Sequence, residues 1–224
     1  TPAARYAQSH KVDLADARTN GLEGAPTRQP GSTFKPFVLA TALAKGIPLT
    51  KTYNGPHQIT LPLPGQAPWK LENFDDGNNY GRINLLEATV HSVNTVYGQV
   101  GLEVGPANVA LLAEAMGIRS PLVPAYPTIA IGQQPATVED MAAAYGVFAA
   151  DGVRHPQVFV TRVTDRTGRV IYSAHPPAKQ VLDPEIARTV TGVLQQVVQR
   201  GTGTGARIGR PVAGKTGTVD NNTD

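Results

Sequence analysis

Between Ile83 and Arg200 the chain reads mainly as helix, and the segments on either side do not. INLLEATVHS, NTVYGQVGLEVG, PANVALLAEAMG and TVEDMAAAYGVFAADG carry apolar residues at helical spacing, and glycine closes three of the four. DPEIARTVTGVLQQVVQR opens with Asp183 placed as N-cap and Pro184 at the first helical position, which predicts a long helix. One hairpin breaks the series, with QVFVTRV and RVIYSA alternating around DRTG. These helices have apolar faces enough to build a core among themselves.

Elsewhere the signals are shorter. Residues 1–30 are polar and punctuated by glycine and proline, a loop segment with room for one short helix. TFKPFVLATALAKG is a helix that Gly46 stops. Proline is tolerated only in a helix's first turn, so Pro36 puts Ser32 at or just before the helix start. Residues 47–82 are rich in Pro, Gly, Asn and Asp. HQITLPL and APWKLEN around PG suggest a short hairpin arm, and FDDGNNYG a turn without the ligand pattern of a calcium loop. RGTGTG reads as a mobile connection, since no Gly-Lys-Ser/Thr follows to make a phosphate loop. RPVAGKTGTV reads as a strand with a glycine-rich kink. With no repeat and no linker, residues 31–224 form one domain.

Composition excludes several functions. A net charge of +3, without a basic run interleaved with aromatics, gives no support for nucleic acid. The absence of cysteine rules out disulfides and thiolate metal sites, and the five histidines lack metal-ligand spacing, so neither metal nor cofactor is expected. No apolar stretch approaches the roughly 20 residues that span a bilayer. An anchor, if the protein works at a membrane, would lie outside these residues.

Three short elements, each at an expected element boundary, carry the chemistry: Ser32-Thr33-Phe34-Lys35, Ser92-Val93-Asn94 and Lys215-Thr216-Gly217. A serine hydroxyl is a weak nucleophile until a base takes its proton. Helical i, i+3 spacing puts Lys35 on the face of Ser32, within reach of that hydroxyl. The amine must be neutral, and burial together with a second cation, Lys215, would make it so. The unpaired Ser32 N–H at a helix start can stabilise an oxyanion. A strand passing close by, with Gly217 permitting the approach, can offer a second N–H. Ser92 can relay a proton toward the leaving group, and Asn94 can hold a substrate amide. His91 beside Ser92 is a helix-end residue, because no Gly-x-Ser-x-Gly accompanies it. Trp69 suits either core or cleft wall.

RQPGSTFKPF, HSVNTVY and AGKTGT resemble the three active-site motifs of the penicillin-binding protein transpeptidases. IGQQPATVEDMAAAYGVFAADGVRHPQ and VLQQVVQRGTGTGA, which hold no catalytic side chains, are similar to the bifunctional, class A group. The resemblance implies an α+β fold of the penicillin-binding/β-lactamase-like type, with a helix-rich lobe and an antiparallel sheet. It implies a D,D-transpeptidase on the extracytoplasmic side of a bacterial membrane. Peptidoglycan stem peptides are its substrates and β-lactams its inhibitors. Ser32 would be the nucleophile and Lys35 its base partner, with Ser92 and Asn94 as second motif and Lys215, Thr216, Gly217 and Thr218 as third. The N–H groups of Ser32 and Thr218 would form the oxyanion hole, and the Thr216 and Thr218 hydroxyls would bind the terminal carboxylate.

A serine β-lactamase shares these motifs but needs a carboxylate to activate the deacylating water, and no Glu-x-x-Leu-Asn lies between Asn94 and Lys215. A non-catalytic penicillin-binding sensor is the other alternative, disfavoured by motifs that are intact. The resemblance also implies further strands, a glycosyltransferase domain and a membrane anchor outside this chain. Part of the sheet is therefore expected to be missing, and residues 1–224 alone are expected to be helical but inactive.

Overall fold

The computed structural model describes residues 28–74, 77–122 and 126–218. The loop expected over residues 1–30 lies outside them except for its last three residues, as do Asp75 and Asp76 of the expected FDDGNNYG turn.

A single turn of 3-10 helix, Gly31–Phe34, leads into α1, Lys35–Ala44, with Pro36 in its first turn. Every residue of α1 from Lys35 to Ala42 is buried. A helix apolar nearly all round has to run through the core, and α1 packs against α3 (Asn94–Val104), α4 (Pro106–Met116) and α6 (Pro184–Arg200). Helix α5, Val138–Ala149, closes the lobe against α6, with Thr137 as N-cap accepting from Asp140 N–H. Asp183 caps α6 by accepting from Glu185 and Ile186 N–H, and one apolar stripe of α6 (Val190, Val193, Leu194, Val197) enters the core.

Among the described residues the strands come as four two-stranded antiparallel ribbons. β1 (Thr52–Gly55) pairs with β4 (Gly81–Asn84), β2 (Gln58–Leu61) with β3 (Trp69–Glu72), β5 (Val153–Arg154) with β8 (Lys179–Gln180), and β6 (Arg162–Thr164) with β7 (Val170–Ser173). Helices and antiparallel strands together make this an α+β fold. Both expected hairpins are present. The β1–β4 ribbon is not legible in sequence, and it corrects the helix expected from Ile83. Ile83 and Asn84 belong to β4, and the Asn84 side chain accepts from Glu87 N–H at 2.8 Å. That cap starts α2, Leu85–Val90, two residues later than the apolar pattern suggests. A second correction concerns residues 211–218, which form no strand, because no strand among the described residues lies beside them to pair their backbone groups.

Candidate active site

The turn that carries Ser32 is pinned from two sides. Gly31 N–H donates to Gly132 O at 3.0 Å, and both glycines hold left-handed backbone, φ 54° and 74°. A Cβ on Gly132 would stand 1.9 Å from Gly31 O, so this approach requires glycine. From α5, Tyr145 O–H donates to Thr33 O at 2.7 Å. The turn's own bonds run from Thr33 N–H to Pro30 O and from Lys35 N–H to Ser32 O. Ser32 itself faces a cleft of about 400 Å³.

Lys35, with no exposed surface, lies beneath that cleft. Its Nζ donates to Ser92 O at 2.6 Å, Ser92 Oγ at 3.1 Å and Asn94 Oδ1 at 2.7 Å, and sits 5.1 Å from the centre of the Tyr97 ring. Spacing alone predicts that this amine reaches Ser32. Among the described residues its hydrogen bonds go to the second motif instead, to two oxygens of Ser92 and one of Asn94. Burial first, and then the Lys215 charge, hold the Lys35 pKa well below its ordinary 10.5.

Ser92 lies in the turn between α2 and α3 at φ 58°, a conformation uncommon for a residue with a side chain. The strained turn presents both its carbonyl and its hydroxyl to Lys35. Lys215 Nζ donates to the same Ser92 Oγ at 2.7 Å, and burial draws the Lys215 pKa down to about 7. Asn94, the first residue of α3, accepts from Lys35 and donates Nδ2–H to Glu72 O at 3.0 Å. A side-chain amide has two donors and two acceptor sites, so one of each remains for a ligand. No carboxylate among the described residues forms an ion pair with either lysine. The site is therefore suited to an anionic ligand.

The third motif completes the wall. Thr216, Gly217 and Thr218 line the same cleft as Asn94 and Gln133. A Cβ on Gly217 would stand 2.8 Å from Pro30 O and 2.9 Å from Thr33 Cγ2, so glycine lets this segment lie directly on the Ser32 turn. The structure thus brings Ser32, Ser92, Asn94, Thr216, Gly217 and Thr218 to one cleft, with Lys35 and Lys215 below it.

Thr202, Asn73 and Gln133 escape sequence reasoning. Thr202 belongs to the glycine-rich segment expected to be a mobile connection. Instead its N–H donates to Val90 O at 3.3 Å, and its Oγ1 shares a 2.7 Å hydrogen bond with Thr216 Oγ1. A Cβ on Gly201 would stand 2.3 Å from Val90 O, so the glycines here serve close packing. Asn73 Oδ1 accepts from Thr95 N–H at 3.1 Å while Nδ2 donates to Pro56 O, joining the β2–β3 hairpin to the start of α3. His91 is the C-cap of α2 and also lines the cleft. Trp69 packs against the core near Gly98 and borders a second cavity beside the first.

Comparison with known proteins adds the following. The model described as the penicillin binding protein transpeptidase domain matches residues 24–224. Penicillin-binding protein 1A of Neisseria meningitidis serogroup A is 36% identical over 208 residues, which cover 88% of this chain and 26% of that protein. The chain thus spans about a quarter of the length of that curated relative. Among solved structures, the D,D-transpeptidase domain of a peptidoglycan glycosyltransferase from Eggerthella lenta superposes with a TM-score of 0.75 at 29% identity, covering 99% of this chain and 60% of that one. The penicillin G acyl-enzyme complex of penicillin-binding protein A from M. tuberculosis gives 0.75 at 26% identity, covering 92% and 53%.

Proposed function

This chain belongs to the class A penicillin-binding protein transpeptidase family, and on that premise we propose that it is a peptidoglycan D,D-transpeptidase working through an acyl-enzyme on Ser32. The observation that carries this reading is the meeting of Lys35 and Lys215 on Ser92 Oγ, beside Ser32, with Lys35 fully buried. Burial favours a neutral amine, and a neutral amine is what a serine nucleophile requires.

In the first half-reaction Ser32 Oγ bonds to the carbonyl carbon of the penultimate D-Ala, and its proton passes to the Lys35 amine. The N–H groups of Ser32 and Thr218 take the oxyanion. The C–N bond to the terminal D-Ala then breaks. Its nitrogen receives a proton through Ser92 Oγ, the atom both lysines contact. In the second half-reaction the amine of another stem peptide attacks the ester, Ser32 recovers a proton, and a new amide cross-links the strands. The Thr216 and Thr218 hydroxyls, with Lys215 behind them, bind the terminal carboxylate. A β-lactam enters the first half-reaction and stops at the ester. No Asp or Glu is among the described residues lining the cleft to activate a deacylating water, which favours a long-lived adduct over β-lactamase turnover. The work site is the extracytoplasmic face of the cell membrane.

The test is acylation of the full-length protein with labelled penicillin, followed by peptide mapping. The label is expected on the fragment containing GSTFK, at Ser32, and is expected to persist. A label on Ser92, or no label on folded protein, would sink the assignment, and rapid penicillin turnover would transfer the chain to the β-lactamases.

A further inference from the structure

Besides its bonds to Ser92 and Asn94, Lys35 Nζ lies over the ring of Tyr97, 5.1 Å from the ring centre. Asn94 and Tyr97 stand three residues apart on α3, so one face of that helix presents both to Lys35. Tyr97 is fully buried. Its hydroxyl oxygen is 2.7 Å from Thr89 Oγ1. Thr89 Oγ1 donates its one proton to Leu85 O, so the Tyr97 O–H is the donor in that bond. The helix holds the ring at one end and Thr89 at the other, and its face is left to the amine.

This contact bears on the proton transfer, and the step rests on the function proposed above. As Ser32 Oγ bonds to the substrate carbonyl carbon, its proton goes to Lys35 Nζ, and a neutral amine becomes an ammonium inside the protein. A buried cation needs a compensating charge or dipole. No carboxylate among the described residues forms an ion pair with Lys35. The charge that acts on it, Lys215, has the same sign. Tyr145 of α5 turns its O–H to Thr33 O, and His91 at the end of α2 lies beside Glu87. The face of an aromatic ring is the negative part of its quadrupole and attracts a cation, most strongly where water is excluded. We propose that Tyr97 is a positioning residue for this proton: with Ser92 O and Asn94 Oδ1, its ring face stabilises the Lys35 ammonium that forms as Ser32 attacks. A neutral amine is drawn to the ring far less than an ammonium, so the contact strengthens as the proton arrives and favours the transition state over the resting site.

The test changes the charge on the ring face and keeps the shape of the ring. In the full-length protein Tyr97→Phe serves as the reference, and Tyr97→difluoro-Phe and Tyr97→trifluoro-Phe withdraw charge from the same face in two steps. Penicillin acylation is followed across pH. Its rising limb reports the loss of the Lys35 proton and its falling limb that of Lys215. A weaker ring destabilises the ammonium, so fluorination should move the rising limb to lower pH, by roughly 1 pH unit from no fluorine to three, with the falling limb in place. The plateau rate should fall with it by about threefold to tenfold, since the amine becomes a weaker base. The position of a limb does not depend on how much of each protein is folded, so lost stability does not imitate this result. Rates that fall in parallel without movement of the rising limb, or no response to fluorine, overturn the role of Tyr97 while penicillin acylation leaves the Ser32 reading standing. Failure of penicillin to acylate the native protein overturns that reading and the role of Tyr97 with it.

Discussion

Lys35 and Lys215 converge on a single oxygen, Ser92 Oγ, at 3.1 and 2.7 Å, although 180 positions separate them in the chain. Two ammonium groups at that spacing repel, and burial penalises both charges. The arrangement therefore favours at most one proton charge on the pair until an anion arrives, and it separates a base from a cation within one hydrogen-bonded cluster.

The two lysines should then respond differently to arginine. Lys35→Ala is expected to slow acylation by about 10²–10⁴, the scale of general base catalysis. Lys35→Arg should do no better, because a guanidinium does not act as a base. Lys215→Arg keeps a charge beside Ser92 and should retain more activity than Lys35→Arg. It should also shift the pH profile. With the Lys215 pKa near 7, native acylation falls as pH rises through that value and the cation is lost. Arginine removes that limb. Stopped-flow acylation across pH reads both effects, and equal losses in the two arginine variants would argue against separate roles.

The same burial makes a stability prediction. Both lysines have folded pKa values below the ordinary 10.5, Lys215 near 7. Above its folded pKa each amine is neutral in the native chain and still protonated in the unfolded one, so the unfolded state binds more protons. Stability then rises with pH, by up to about 1.4 kcal/mol per pH unit for each group. Thermal unfolding between about pH 7 and pH 9 should show a rising Tm that flattens in the Lys35→Met, Lys215→Met double variant. Parallel curves for the two proteins would contradict the shifts.

Gly217→Ala places a Cβ 2.8 Å from Pro30 O and 2.9 Å from Thr33 Cγ2, which forces residues 215–218 away from the Ser32 turn. A displacement on the order of 1 Å lowers catalysis about 100-fold. The helical core is not involved, so Tm should move by no more than about 3 °C. Acylation unchanged within a factor of two, measured by penicillin labelling, would show that the close approach is not required.

Thr202→Val keeps shape and removes the hydroxyl that shares a 2.7 Å bond with Thr216 Oγ1. Losing one such bond is worth about 0.5–1.5 kcal/mol, so KM for a D-Ala-D-Ala donor should rise about twofold to tenfold with kcat little changed. A fall in kcat at constant KM would place Thr202 in the chemical step instead.

How much of this was legible beforehand differs by element. Helices with strong local signals read directly: Asp183-Pro184 starts α6, Pro36 fixes the start of α1, and DRTG turns the β6–β7 hairpin. That Ser32, Lys35, Ser92, Asn94 and Lys215 belong together was expected from three short motifs and their resemblance to the penicillin-binding protein transpeptidases, and the structure gathers them around one cleft. What sequence left undecided depends on partners far along the chain. The β1–β4 ribbon exists only because Thr52–Gly55 meets Gly81–Asn84. The choice of Lys35 for Ser92 and Asn94 over Ser32 follows from the packing of α1 on α3. Gly132 and Thr202 matter through contacts with Gly31 and Thr216, which no local pattern announces. Side-chain type and short-range spacing decide what chemistry is available, whereas burial and non-local contact decide which amine loses its proton and which acceptor it meets.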